Sequence, residues 1–233
     1  MACLAALMAC SQPEDSVIQQ RAAYEWPDYA ERFRWRTLNG GNCLEVLTAN
    51  NEILATVYRD STALMGDAYG AEDPVVIAEH KAGLATLSTT HVSLMEPWDS
   101  TLFHWKGGGY LDYVRSSAAI ERIARNEVLD FGGNPGWNHE AILMASFRAF
   151  CIYPFGNPFE GVTWANDLPV VPILEYDEPS PLGRAEWMKA LAWLLSDSVL
   201  EDANRVFDGV AARYEYARAQ GLPREDSLVV LTG

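Results

Sequence analysis

Basic residues are scarce in this chain. Of 233 residues, 17 are Lys or Arg and 32 are Asp or Glu, a formal net charge of −15. Such a surface repels nucleic-acid phosphates, and no Lys/Arg stripe offsets it, so nucleic acid is not an expected partner. The sequence also lacks any run of the roughly 18–20 apolar residues needed to span a bilayer. Its four cysteines, Cys3, Cys10, Cys43 and Cys151, form no CxxC pair, and no Cys/His group has zinc spacing. His80, His91, His104 and His139 are scattered, with no HExxH pair. Neither a G-x-S-x-G elbow nor a P-loop occurs, and Gly107-Gly108-Gly109 is not a GxGxxG fingerprint. A metal hydrolase using His91, His104 and Glu140 is compatible with the composition, but no spacing demands it. The chain is therefore expected to be no enzyme, with no catalytic residue, bound cofactor or metal site.

What is present is a globular composition: 49% hydrophobic residues, with eight Trp and ten Tyr, enough for one good core. The first residues are small and apolar and lead to Leu7-Met8-Ala9-Cys10. That stretch resembles the lipobox of bacterial lipoproteins, in which Cys10 would be the lipidated residue. Residues 1–20 are accordingly expected to be a lipoprotein signal followed by a polar tether. The location this implies is periplasmic or cell-surface, anchored to the membrane by lipid.

Residues 21–74 contain short alternations of apolar and polar residues separated by Asn39-Gly40-Gly41-Asn42 and Asn50-Asn51, which predicts a small antiparallel β-meander. An irregular connection is expected over 59–74. From 75 to 178 short strands alternate with short helices: Pro74–Ala78, Gly83–Leu87, Leu102–Lys106, Val128–Phe131, Phe147–Tyr153 and Leu168–Leu174 read as strands. Ser88 or Thr89, and Asn138, stand where helix caps belong. The pattern predicts an α/β lobe on a largely parallel sheet. Residues 179–221 carry helical periodicity with a break at Ser196-Asp197-Ser198, closed by Gly221-Leu222-Pro223. Residues 222–233 read as the start of a further lobe, opening on a buried strand.

Three motifs then occur in order: Leu87 to Val92 (LSTTHV), Asp130 to Ile142 (DFGGNPGWNHEAI) and Glu175 to Trp187 (EYDEPSPLGRAEW). Together they resemble the solute-binding proteins of ATP-driven importers for iron siderophores, haem and vitamin B12, over roughly residues 24–233. The resemblance implies an N-terminal Rossmann-like lobe with a meander extension, a long inter-lobe helix over 179–221, and the first strand of a second lobe missing from this chain. It also implies a metal chelate (ferric siderophore, haem or cobalamin) as ligand, and an ABC permease with its ATPase as partners.

Thr89, Thr90 and His91 lie where a parallel strand ends, and Gly109 and Tyr110 in a similar loop, so all five are candidate ligand contacts. Phe155 and Gly156, in the loop after Tyr153, join them. By the resemblance so do Tyr176 and Arg184, although an internal bridge is the stronger reading of Arg184 and Glu186. Trp137 is expected to pack under the glycine turn. Glu140, in a first helical turn that favours a carboxylate, is the candidate permease contact by the same resemblance. Two alternatives stay open: a receptor of this fold for free zinc or manganese, and a truncated lipoprotein with an interaction role only.

Overall fold

The structure, a computed structural model, describes residues 24–38, 41–66, 74–77, 80–133, 136–153 and 168–221. The chain is mixed α/β, with a parallel sheet and several helices. Cys10, the signal-like segment and the strand expected within 222–233 lie outside the described residues.

Strands β1 (Tyr24–Glu25), β2 (Phe33–Leu38), β3 (Gly41–Leu47) and β4 (Ile53–Tyr58) form the antiparallel meander in chain order. Helix α1 (Ser61–Gly66) lies within the stretch expected to be irregular; its Ala63 closes over Cys43 and Tyr58. Strand β5 (Pro74–Val76) then pairs in parallel with β4, as the edge of this first sheet. The sequence reading had placed it in the α/β lobe. A strand of 3 residues has too short a period to specify which sheet supplies its partners.

On β2, Phe33 and Trp35 enter the core, while Arg34 and Arg36 reach Glu45 on β3. Glu45 is 1% exposed, yet each of its oxygens has an arginine nitrogen at 2.7 Å. Full pairing of both oxygens is what makes a buried carboxylate tolerable.

The second sheet contains β6 (Leu84–Thr86), β7 (Trp105–Gly108), β8 (Leu129–Asp130), β11 (Ala149–Ile152) and β12 (Val170–Pro172). Between β8 and β11 the chain makes a small antiparallel pair, β9 (Gly132–Gly133) and β10 (Gly136–Trp137). The sheet order is β12-β11-β6-β7-β8, with every pairing parallel. Helices α2 (Thr89–Met95), α3 (Ser117–Ala124) and α4 (His139–Met144) connect the strands. Each begins on a side-chain cap, from Ser88, Ser116 and Asn138 respectively. Alternation on β11 explains why the sheet is apolar throughout: Ala149 and Cys151 enter one core cluster, Phe150 and Ile152 another. A parallel sheet covered on both faces requires such strands.

The stretch 179–221 is two helices rather than one. Helix α5 (Pro181–Trp193) ends short of Ser196, whose hydroxyl accepts from Val199 N–H and opens α6 (Asp197–Ala219). The second helix packs along the first: Lys189 Nζ sits 4.3 Å from the Phe207 ring centroid, and Leu182 and Met188 share a cluster with Phe207 and Ala211. Helix α5 is buried on nearly every side. Its Trp187, Ala190 and Leu191 share one core with Phe33, Leu44 and Val57 of the first sheet and with Leu84, Trp105 and Cys151 of the second. A helix apolar all round belongs in such a position.

Two carboxylates tie this helix to the chain's beginning. Glu186 accepts from the backbone N–H groups of Asp28, Tyr29 and Ala30 at 2.7–3.0 Å. Glu178 accepts from those of Glu31 and Arg32 at 2.8 and 3.0 Å, and from the Trp187 indole at 2.9 Å. Lys189 balances Glu186 at 2.7 Å. Gly183 permits the approach, since a Cβ there would lie 2.9 Å from the Tyr29 carbonyl oxygen. Glu186→Ala should cost about 3–5 kcal/mol, because it strands buried donors and an ammonium. Urea denaturation monitored by tryptophan fluorescence measures this; a loss below about 1 kcal/mol contradicts the anchoring role.

Candidate functional site

The order of the second sheet creates a place for a ligand. From β6 the chain moves outward through β7 and β8, then returns to the other side of β6 with β11 and β12. Connections leaving β6 and β11 therefore diverge, and open α/β sheets bind ligands at the carboxyl ends of strands at such a divergence. A depression of about 340 Å³ lies there, lined by Leu87, Ser88, Thr89, Tyr110, Tyr113 and Tyr153. These residues follow β6, β7 and β11, and none of the lining side chains carries a charge at neutral pH.

Tyr110 has a φ of 56°, the left-handed region that a bulky residue enters only when its surroundings hold it there. Its N–H donates to the Gly132 carbonyl at 2.8 Å. Its ring meets the Trp137 ring edge-on at 5.4 Å and covers Gly133, where a Cβ would come within 2.6 Å of it. Gly109 lies beneath: a Cβ there would come within 2.8 Å of Trp137, so Trp137 packs under the glycine turn. Tyr153 hydrogen-bonds to Tyr110; burial first, then the Tyr110 charge and hydrogen bond, raise its phenol above the ordinary value. It therefore stays a neutral phenol at physiological pH.

Behind the depression the hydroxyls are already committed. Ser88 Oγ lies 2.7 Å from Thr90 Oγ1, which donates to Glu175 Oε1 at 2.5 Å. Thr90 thus fastens α2 to the segment before α5; it is exposed but is not among the residues lining the depression. His91, by contrast, is buried. It is 0% exposed, with its Nε2 3.5 Å from Glu175 Oε2. Helix α2 turns it into the core, where no ligand in the depression reaches it. Burial raises the Glu175 carboxyl, but the His91 ring and the Thr90 hydroxyl outweigh that and hold it below its ordinary value. Cys151 is fully buried, and burial with the nearby Glu175 charge raises its thiol, so it is an inert core residue.

Of the remaining expected residues, Gly109 supports the depression and Thr89 lines it. Tyr176 is half-buried against the main core, and Arg184 donates from Nε to the Glu178 carbonyl at 3.2 Å; neither lines the depression. Glu140 is exposed in the first turn of α4, beside the Asn138 cap. Phe155 and Gly156 lie outside the described residues. Two lining tyrosines, Tyr113 and Tyr153, were not among the candidates. Tyr153 closes the apolar run of β11, and Tyr113 follows Tyr110 by one turn of a 3-10 helix. Position at a strand end was the available signal for both.

Among the described residues no three His, Cys, Asp or Glu side chains come together as a metal ion would need, and no helix is long and apolar enough to cross a membrane. Fold and site together define a mixed α/β chain whose parallel sheet carries a neutral, tyrosine-walled depression at its carboxyl edge. Comparison with protein-family models, curated proteins and solved structures finds no match to this chain.

The depressed Glu175 carboxyl has a consequence for stability. Its ionised form favours folding; that contribution is complete above its ordinary value of 4.5 and is lost as pH falls through the lower folded value. Glu175→Gln should therefore leave stability less dependent on pH below about 4.5. Urea midpoints of both proteins between pH 3 and 7, on the order of one per half unit, test this. Parallel acid limbs would contradict the pairing.

Proposed function

We propose that this chain is the solute-binding receptor of an ABC importer, capturing an iron chelate (siderophore or haem) or cobalamin and delivering it to a permease. The tyrosine- and hydroxyl-lined depression at the carboxyl edge of the parallel sheet carries the reading. Phenol rings offer flat faces to a macrocycle or chelate, and their hydroxyls offer donors to its carbonyl and carboxylate oxygens. The three motifs that resemble this receptor class lie on the loops and helices around the depression and on α5.

In this reading the second sheet and its helices are a Rossmann-like N-terminal lobe, and the depression is that lobe's share of an inter-lobe cleft. The inter-lobe connection is the helical stretch 179–221, within which α6, of 23 residues, spans about 35 Å. Glu140 is the permease contact, with Leu143 and Met144, 53% and 79% exposed, three and four residues further along the same helix. Cys10 bears the lipid that holds the receptor at the membrane. The chain performs no chemistry; a separate ATPase supplies the transport energy.

Calorimetric titration of the chain with ferric siderophores, haemin and cobalamin tests the proposal. One of them should bind saturably, and Tyr110→Ala should weaken that binding about tenfold, the loss of one aromatic stacking contact. A folded protein that binds none of the three overturns the reading.

A further inference from the structure

Ser88, which lines the tyrosine depression, is joined to a buried carboxylate by two consecutive hydrogen bonds, and the direction of both is fixed. Glu175 is 8% exposed; burial raises its carboxyl, but the His91 ring and the Thr90 hydroxyl outweigh that and keep it ionised. An ionised carboxylate only accepts. The Thr90 hydroxyl has one proton, and it goes to Glu175 Oε1 at 2.5 Å. The 2.7 Å bond between the Thr90 and Ser88 hydroxyls must then be donated by Ser88.

Ser88 thereby commits its only hydroxyl proton. Its oxygen also accepts the Thr90 backbone N–H at 3.2 Å, as the cap of α2. One lone pair and no proton are left for a ligand. Both bonds between Ser88 and Thr90 lie at the exposed surface, so the oxygen is accessible from outside the core. The other polar groups of the lining impose no such direction. The phenols of Tyr110, Tyr113 and Tyr153 and the Thr89 hydroxyl can each donate or accept.

We propose that Ser88 is a specificity-determining residue of the depression, held as an acceptor by Thr90 and Glu175, and that the ligand is a chelate with an uncharged, carboxamide-bearing fringe. This rests on the importer-receptor reading, which makes the depression the chelate site. A carboxamide gives an N–H to Ser88 and a carbonyl oxygen to a phenol. An ester or carboxylate brings only oxygens and meets Ser88 lone pair to lone pair. A carboxylate also finds no cation among the described lining residues. Glu175 and Thr90 do not line the depression; they are positioning residues that act through Ser88.

Two derivatives of one macrocycle, both with uncharged fringes, separate donor from acceptor: haemin with its two propionates converted to carboxamides, and haemin with both converted to methyl esters. In calorimetric titration of the full chain the diamide should bind saturably and the diester about tenfold more weakly, the effect of one mismatched hydrogen bond. Thr90→Val keeps the branched shape but breaks the relay, leaving Ser88 free to turn its proton toward an ester. The ratio should then fall to about twofold or less, mainly through tighter diester binding. Thr90→Ser restores the relay and should restore the ratio. A purely structural role for Thr90 would weaken both derivatives together and leave the ratio unchanged. Equal affinity for the two derivatives, a ratio that survives Thr90→Val, or no saturable binding of either overturns the inference. The receptor reading falls as well only if the ferric siderophores, haemin and cobalamin also fail to bind.

Discussion

Five consecutive backbone amides, from Asp28 to Arg32, end on two buried carboxylates, and the rest of the structure is arranged around that contact. Taking Glu178 and Glu186 out of water costs several kcal/mol each, and only a full set of donors offsets it. The chain provides that set from a segment roughly 150 residues away in sequence, together with the Trp187 indole and the Lys189 ammonium. Because the donors are backbone groups, the contact fixes the path of the loop as well as its position. The first sheet is thereby joined to α5, and α5 is the helix on which both sheets pack. The loop between Tyr24 and Phe33 thus acts as a structural joint, although nothing in its own composition suggests a core role.

The depression depends on that arrangement indirectly. Glu175, at the start of the segment leading into α5, accepts from Thr90 and so fixes the first turn of α2. With His91 turned inward, Thr89 and Ser88 line the depression. Across from them, Tyr110 is held in a left-handed conformation by its bond to Gly132 and by Trp137 beneath it. Strain of this kind persists where neighbouring contacts over-determine a residue. The result is a wall of aromatic and hydroxyl groups whose shape is set by buried structure before any ligand arrives, which lowers the cost of binding.

Charge is distributed to match. The lining of the depression is neutral, so the net charge of −15 is carried by residues outside it. Buried carboxylates, by contrast, each meet their own set of donors: Glu45 the Arg34 and Arg36 guanidiniums, Glu186 the Lys189 ammonium, Asp99 the His104 ring and two backbone amides.

Much of the architecture was legible from local pattern. Alternation in Phe33–Thr37 and Cys43–Leu47 marked the meander, and the hydroxyl residues after β6 and the Asn138 amide marked helix starts, because these signals act within a few residues. The break at Ser196 was equally local. Tertiary structure decided the rest. It sent β5 to the first sheet, turned α6 back along α5, and buried His91 while bringing Tyr113 and Tyr153 to the depression. Neighbouring residues on one short helix can face a ligand or the core, and sequence spacing alone does not distinguish the two. The roles of Glu178 and Glu186 show the limit most clearly. The sequence by itself determined that two carboxylates flank the start of a long apolar helix. Only the folded chain decided that they are buried anchors, because the amides that make their burial tolerable come from the other end of the sequence.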